Sequence, residues 1–273
     1  MTKTVIVNSS QDSAGINIRD RLLDNYPFQK VSRKFDTNPV YTLSDVILVT
    51  SNKHLVDVGK ELDDSFDSDE CRYVFISKHK AESQIPSLTV HFTGNFSSND
   101  LGGRPREISR HLPSMMKKYA VALRSMRGTI PDRYNLTLEA THHGPTSLTN
   151  PVLFVELGSS EKEWQDKEAA VCVARALMES LRDVDVYEKI AIGLGGTHYS
   201  DKFNRILFES DMALSIIAPK YALDFVDGYL LSEALSKCGE KISIVALDMK
   251  GLGKSKKRIV SLVETLGLEI LKV

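Results

Sequence analysis

Short β-branched runs alternate with helical stretches along most of this 273-residue chain, and that alternation constrains the fold more than any other feature. Runs of strand character lie at 3–8, 45–51, 72–77, 87–92, 134–141, 153–158, 189–194, 213–218, 242–247 and 268–273. Helical stretches separate several of them. Pro113 suits the first turn of a helix running to Arg127 and ended by Gly128. Residues 166–182 place Ala169, Val173, Ala176, Leu177 and Leu181 on one stripe, and 255–266 do the same with Ile259, Leu262, Val263 and Leu266. The pattern predicts an α/β protein with a mainly parallel central sheet flanked by helices, as a single domain over 1–273.

A chain that is 42% hydrophobic and 26% charged can bury such a core. The three cysteines, Cys71, Cys172 and Cys238, are isolated and odd in number, which argues for a reducing compartment and against a disulfide frame or a CxxC zinc site. Val5 to Val7 is too short an apolar run for a signal-peptide core, and no stretch approaches membrane-spanning length, so a cytoplasmic protein is expected. The net charge of -1 excludes a global basic field. Locally, however, Arg104, Arg106, Arg110, Lys117, Lys118, Arg124, Arg127 and Arg133 crowd one segment, Lys250 to Arg258 form a second basic stretch, and 57–70 is acidic. Such runs are commonly solvated faces; the alternative is a track for a phosphate backbone.

Six of the seven histidines stand at strand ends or turns: His79, His91, His111, His142, His143 and His198, leaving His54. One histidine in such a place is more often a hydrogen-bonded structural residue than a catalyst. In a parallel sheet, though, the carboxyl ends of strands share an edge, so several can converge on one cleft. Glu139, Glu156 and Asp248 also lie near strand ends, and histidine with carboxylate is a natural zinc donor set. The spacing of Glu139, His142 and His143 is not HExxH. If 139–143 stays extended, Glu139 and His143 face one side and His142 the other. Gly253-Lys254-Ser255 lacks the leading glycine of a P-loop, and Gly193, Gly195 and Gly196 lack the third glycine of a dinucleotide fingerprint. The absence of a GxSxG elbow and of an activated cysteine leaves water as the nucleophile.

SKH at 77–79, HFTGN at 91–95, GGRP at 102–105, EATHHGP at 139–145, FVELGSSEKEW at 154–164 and GGTHY at 195–199, with VIVNSSQDSAG at the start, together resemble the archaeal and plant type of D-aminoacyl-tRNA deacylase. The blocks keep the family's order from about residue 70 to the carboxyl terminus. The resemblance departs where Thr197 replaces a third glycine and where Ser215-Ile216 replace a Gly-His pair, so a ligand or base at 216 would be missing. It implies hydrolysis of the ester joining a D-amino acid to tRNA, zinc as cofactor, and a fold related to phosphorylase or peptidyl-tRNA hydrolase sheets. The implied partner is D-aminoacyl-tRNA, with neither membrane nor DNA; no oligomeric state is specified, a monomer being allowed.

Hydrolysis of an activated ester needs a positioned water, a proton acceptor and oxyanion stabilisation. His142 or His143 is expected as base or ligand, oriented by Glu139 or Glu156. Backbone donors at Gly195 and Gly196 would face the oxyanion, Tyr199 would stand at the rim, and His79, His91 and His198 would hold zinc. Arg104, Arg106, Lys117 and Lys118 are the expected tRNA contacts. The ribose 2′-hydroxyl could instead assist its own ester, with the protein mainly positioning the substrate. Two other classes stay open: a tRNA-binding module without turnover, and a nucleoside phosphorylase or amidohydrolase-like enzyme of small molecules.

Overall fold

The computed structural model describes residues 2–66, 71–182 and 186–273; the end of the acidic stretch, 67–70, lies outside them. The strands are β1 (Lys3–Ser9), β2 (Gln29–Phe35), β3 (Asn38–Leu43), β4 (Val46–Ser51), β5 (Cys71–Lys80), β6 (Ser87–His91), β7 (Gly94–Asn95), β8 (Glu107–Ile108), β9 (Asn135–Leu138), β10 (Val152–Ser159), β11 (Ile190–Leu194), β12 (Ala213–Ala218), β13 (Ile244–Leu247) and β14 (Glu269–Lys272). The helices are α1 (Ser13–Asn25), α2 (Lys60–Phe66), α3 (Pro113–Ser125), α4 (Glu161–Trp164), α5 (Lys167–Ser180), α6 (Asp201–Glu209), α7 (Gly228–Lys237) and α8 (Lys256–Glu264). All ten strand-like runs form strands, and the three helical stretches become α3, α5 and α8.

The strands form two principal sheets rather than one. The first has eight strands in the order β2-β3-β4-β1-β5-β10-β6-β9, and the second has four, β12-β11-β13-β14. The second is wholly parallel. The first is parallel from β4 through β1 and β5 to β10, but β6 runs antiparallel to β10 and β2-β3 is an antiparallel hairpin at its edge.

Alternation along the strands sorts side chains between cores. Ile6, Val74, Ile76, Val90 and Val155 face α1, α3 and α5, whereas Val5, Val7, Tyr73, Phe75 and Phe154 face the opposite side with Leu62, Phe66 and Leu148. In the second sheet Ala191 joins the first core, while Ile190, Ile192 and Leu194 pack with α7 and α8. The sheets meet beyond the edge strand β9. Here Ala140 N–H donates to His198 O (2.8 Å), Thr141 N–H donates to Ile217 O (3.0 Å) and Ile217 N–H returns a bond to Thr141 Oγ1 (3.0 Å). Among the described residues no helix is long and apolar enough to cross a membrane.

Candidate active site

Pleating and register bring the polar residues of β5, β10 and β6 onto one face. Glu156 on β10 lies opposite Ser77 on one side and Thr89 on the other, and Phe154 lies opposite His91. Ser77 Oγ donates to Glu156 Oε1 at 2.7 Å and Thr89 Oγ1 to Oε2 at 3.4 Å. His79 follows Ser77 on the same face, its Nδ1 3.4 Å from Glu156 Oε2 and 3.0 Å from Glu139 Oε1. Two tethers hold the end of β5: Trp164 Nε1 donates to His79 O, and Asp12, the N-cap of α1, accepts from Lys78 N–H.

Glu139 extends β9 onto this face. Its Oε2 accepts from His198 Nε2 at 3.0 Å, while His198 Nδ1 meets the Tyr221 hydroxyl at 2.9 Å. Glu139 Oε1 is buried and has no hydrogen bond, because the His79 ring lies close without directing its N–H at it. His91 Nε2 is likewise buried and unsatisfied, 3.6 Å from Glu156.

The expected split of His142 from His143 does not occur. His143 adopts φ of 44°, which breaks the alternation, so both rings turn inward: His142 and His143 lie 4.4 Å and 4.8 Å from the His91 ring and 4.4 Å from each other. The following glycine is required by packing, since a Cβ at Gly144 would stand 2.3 Å from Gly103 N. Each of the three rings has Nδ1 against a backbone carbonyl, of Phe92, Ala140 and Gly144 respectively. A carbonyl can only accept, so each ring carries a proton on Nδ1; neutral His142 and His143 keep a lone pair on Nε2, whereas Glu156 beside the Nε2 of His91 outweighs burial and raises the pKa of that ring.

Burial disfavours charge on all these groups, and their neighbours decide the outcome. Glu139 and Glu156 outweigh burial at His79 and hold its pKa at about 10. Glu139 stays ionised far below the usual range through His198 and His79, and Glu156 is lowered by His79 and His91. Burial and then the neighbouring histidines push His142 well down, and burial with His91 takes His143 to about 4. The site therefore combines carboxylates, a cationic His79 and two neutral imidazoles.

Among the described residues, three groups have donor atoms close enough for one metal ion: His91-His142-His143, Glu139-His142-His198 and His79-Glu139-Glu156. The expected trio of His79, His91 and His198 is not among them, because β10 and Glu139 separate their rings. The first group fits zinc best, with three backbone-anchored imidazoles and an unsatisfied Nε2 on His91.

Among the described residues, histidines of the cluster line a pair of clefts. One, of about 330 Å³, is lined by His79, Ser87, Thr137, Ser159, Tyr199 and Asn204; the other, of about 180 Å³, by His142, His143, Phe96, Leu101, Tyr221 and Phe225.

Several expectations are corrected. Gly195 N–H donates to Ala218 O, so it is not an oxyanion donor; Gly196 after it packs closely on Gly251, where an added Cβ would come within 2.2 Å of Gly196 N. Gly195 and Gly196, with φ of 102° and 77°, turn the chain so that His198 and Tyr199 reach the site, where Tyr199 hydroxyl lies 3.3 Å from His79 Nε2. Lys117 is buried, donating to the carbonyls of Ile206, Leu207 and Ser210, and cannot contact a phosphate. Lys118 lines a separate groove with Glu179 and Tyr187, and Arg124 and Arg127 line another with Arg205, so the basic run is no single track. Arg106 bonds to the carbonyl of Phe225, which lines the His142-His143 cleft, and pairs with Asp227, while Arg104 pairs with Glu107. Asp248 caps a turn and pairs with Lys202. His111 is a buried structural residue, bonded to Ser109 O and Ser215 Oγ, and Ile216 packs in the second-sheet core. Sequence reasoning passed over Ser77, Thr89 and Tyr221; residue type gave no signal, although the strand register could have placed the first two beside Glu156.

The profile of a family described as D-aminoacyl-tRNA deacylase matches residues 66–271. A D-aminoacyl-tRNA deacylase of Pyrococcus furiosus is 35% identical over 98% of this chain and 99% of its own, and one of Cenarchaeum symbiosum is 39% identical over 73% and 76%. A crystal structure of a conserved protein of unknown function superposes with a TM-score of 0.91 at 29% identity, covering 99% of this chain and 95% of the other.

Proposed function

The chain belongs to the D-aminoacyl-tRNA deacylase family, hydrolases of the ester between a D-amino acid and tRNA, and on that premise we propose that the histidine-carboxylate cluster is where the ester is cleaved. The observation that carries this reading is Glu139: a buried carboxylate, bonded to His198 through one oxygen, with the other oxygen unsatisfied beside His79, and with neighbours His79 and His142 that line one cleft each.

The ester is activated already, so no covalent intermediate is needed. Glu139 accepts the proton of the attacking water, directly or through His198, whose ring is held between Glu139 and Tyr221. Positive His79, with the Tyr199 hydroxyl beside it, faces the charge that develops on the carbonyl oxygen. His91, His142 and His143 would hold a zinc ion, which when bound lowers the pKa of water toward about 7. Without a metal, the Nε2 lone pairs of His142 and His143 remain as proton acceptors.

The test measures release of D-tyrosine and L-tyrosine from matched tyrosyl-tRNAs, together with the zinc content of the purified protein before and after chelation. D-selective release by the wild type, lost in His142→Ala, supports the site. Undiminished release by that variant removes the cluster from the mechanism. Chelator-resistant release by protein free of zinc retains the hydrolase and discards the metal.

A further inference from the structure

The cleft against His142 and His143 is bordered by apolar side chains left in water. Leu101 and Tyr221 are each 63% exposed and Phe225 is 47% exposed; outside the lining, Tyr229 in the first turn of α7 is 56% exposed. Arg106 joins the last two. It donates to Phe225 O at 3.2 Å and to Asp227 at 2.7 Å while its guanidinium lies 5.8 Å from the Tyr229 ring centroid. The rings are thus held in place without being covered. Tyr221 leads inward, since its hydroxyl reaches His198.

Exposed aromatic rings with a guanidinium among them suit flat, π-faced, negatively charged ligands. A membrane or a protein partner would also accept an apolar rim, but neither accounts for a path that ends on the reacting groups. We propose that Tyr221, Phe225 and Tyr229 form a stacking platform for the unpaired 3′-terminal bases of tRNA, which delivers the terminal ribose ester to His142 and His143. This rests on the deacylase reading. It assigns the aromatic cleft to RNA and leaves the cleft at His79 and Tyr199 for the aminoacyl group.

The test uses the full chain carrying Phe225→Leu and Tyr229→Leu, which keep apolar bulk but remove the rings. Its RNA probes are an uncharged tRNA and the same tRNA trimmed of its single-stranded 3′ end. The wild type is expected to bind the intact form about tenfold or more tighter than the trimmed one, the scale of stacking on one or two rings. The double variant, left with Tyr221 alone, should lose most of that discrimination, and its KM for D-tyrosyl-tRNA should rise severalfold with kcat within about twofold. Phe225→Tyr with Tyr229→Phe should restore discrimination, and thermal unfolding checks the fold of each variant. A wild type that does not distinguish the two RNAs, or a Leu variant that distinguishes them as well as the wild type does, overturns the platform. Absence of turnover by the wild type bears on the deacylase reading instead, because the binding comparison needs no catalysis.

Discussion

Glu139 joins the two sheets chemically as well as spatially, since its neighbours His79 and His198 come from β5 and from the turn after β11. Replacing it by Gln preserves shape but removes the charge that keeps His79 protonated and the acceptor that water needs. Glu139→Gln is therefore expected to lower kcat by about a hundredfold or more, the scale of lost acid-base assistance, with far-UV circular dichroism unchanged; kcat within threefold of wild type would dismiss Glu139 as the acceptor. Histidines at strand ends were legible because their chemistry marks them wherever they stand, and five of the six singled out do gather. His111 is the counter-example: the same kind of setting, but its ring is spent on a carbonyl and a hydroxyl. The inward turn of both His142 and His143 was hidden, because a single positive φ at His143 reverses the parity argument and nothing in the local sequence announces it.

At the scale of elements, α3 illustrates how a surface-like sequence becomes interior. Lys117 crosses to the carboxyl end of α6 and satisfies carbonyls that a helix leaves without intrahelical partners. Lys117→Met should leave them unsatisfied and cost about 2–3 kcal/mol in chemical denaturation, while KM for the tRNA substrate at moderate temperature stays within about twofold. A large KM increase with unchanged stability would instead restore the phosphate-contact role. The hairpin of β2 and β3 was missed for the opposite reason. Its residues are mostly exposed and polar, so apolar periodicity is weak, and its turn is made by Asp36 and Thr37 at positive φ rather than by Asn-Gly. Core strands such as β5 and β10, buried along nearly their whole length, were readable from their apolar runs alone.

For the whole molecule, the alternation of strand and helix implied an α/β fold but could not reveal two sheets, because it does not specify which edges pair. His111 secures part of their junction through Ser215 of β12, and burial, reinforced by nearby Lys237, lowers its pKa to about 4. In the unfolded chain a histidine titrates near about 6.5, so as pH falls below that value the unfolded state takes up the proton first and folding stability is lost down to the folded pKa. Between about pH 7 and pH 5 this amounts to about 2 kcal/mol. Denaturant titrations should find that pH-dependent loss smaller by this amount in His111→Gln than in the wild type; equal slopes would mean that His111 is not held neutral. The bonds from Ala140 and Thr141 to His198 and Ile217 lead further, for they join residues as far as 76 positions apart and lie beside the histidine-carboxylate cluster. A refolding chain cannot assemble the proposed site from either sheet alone, so recovered turnover is expected to report the docking of the last sheet to arrive, after most secondary structure has already formed.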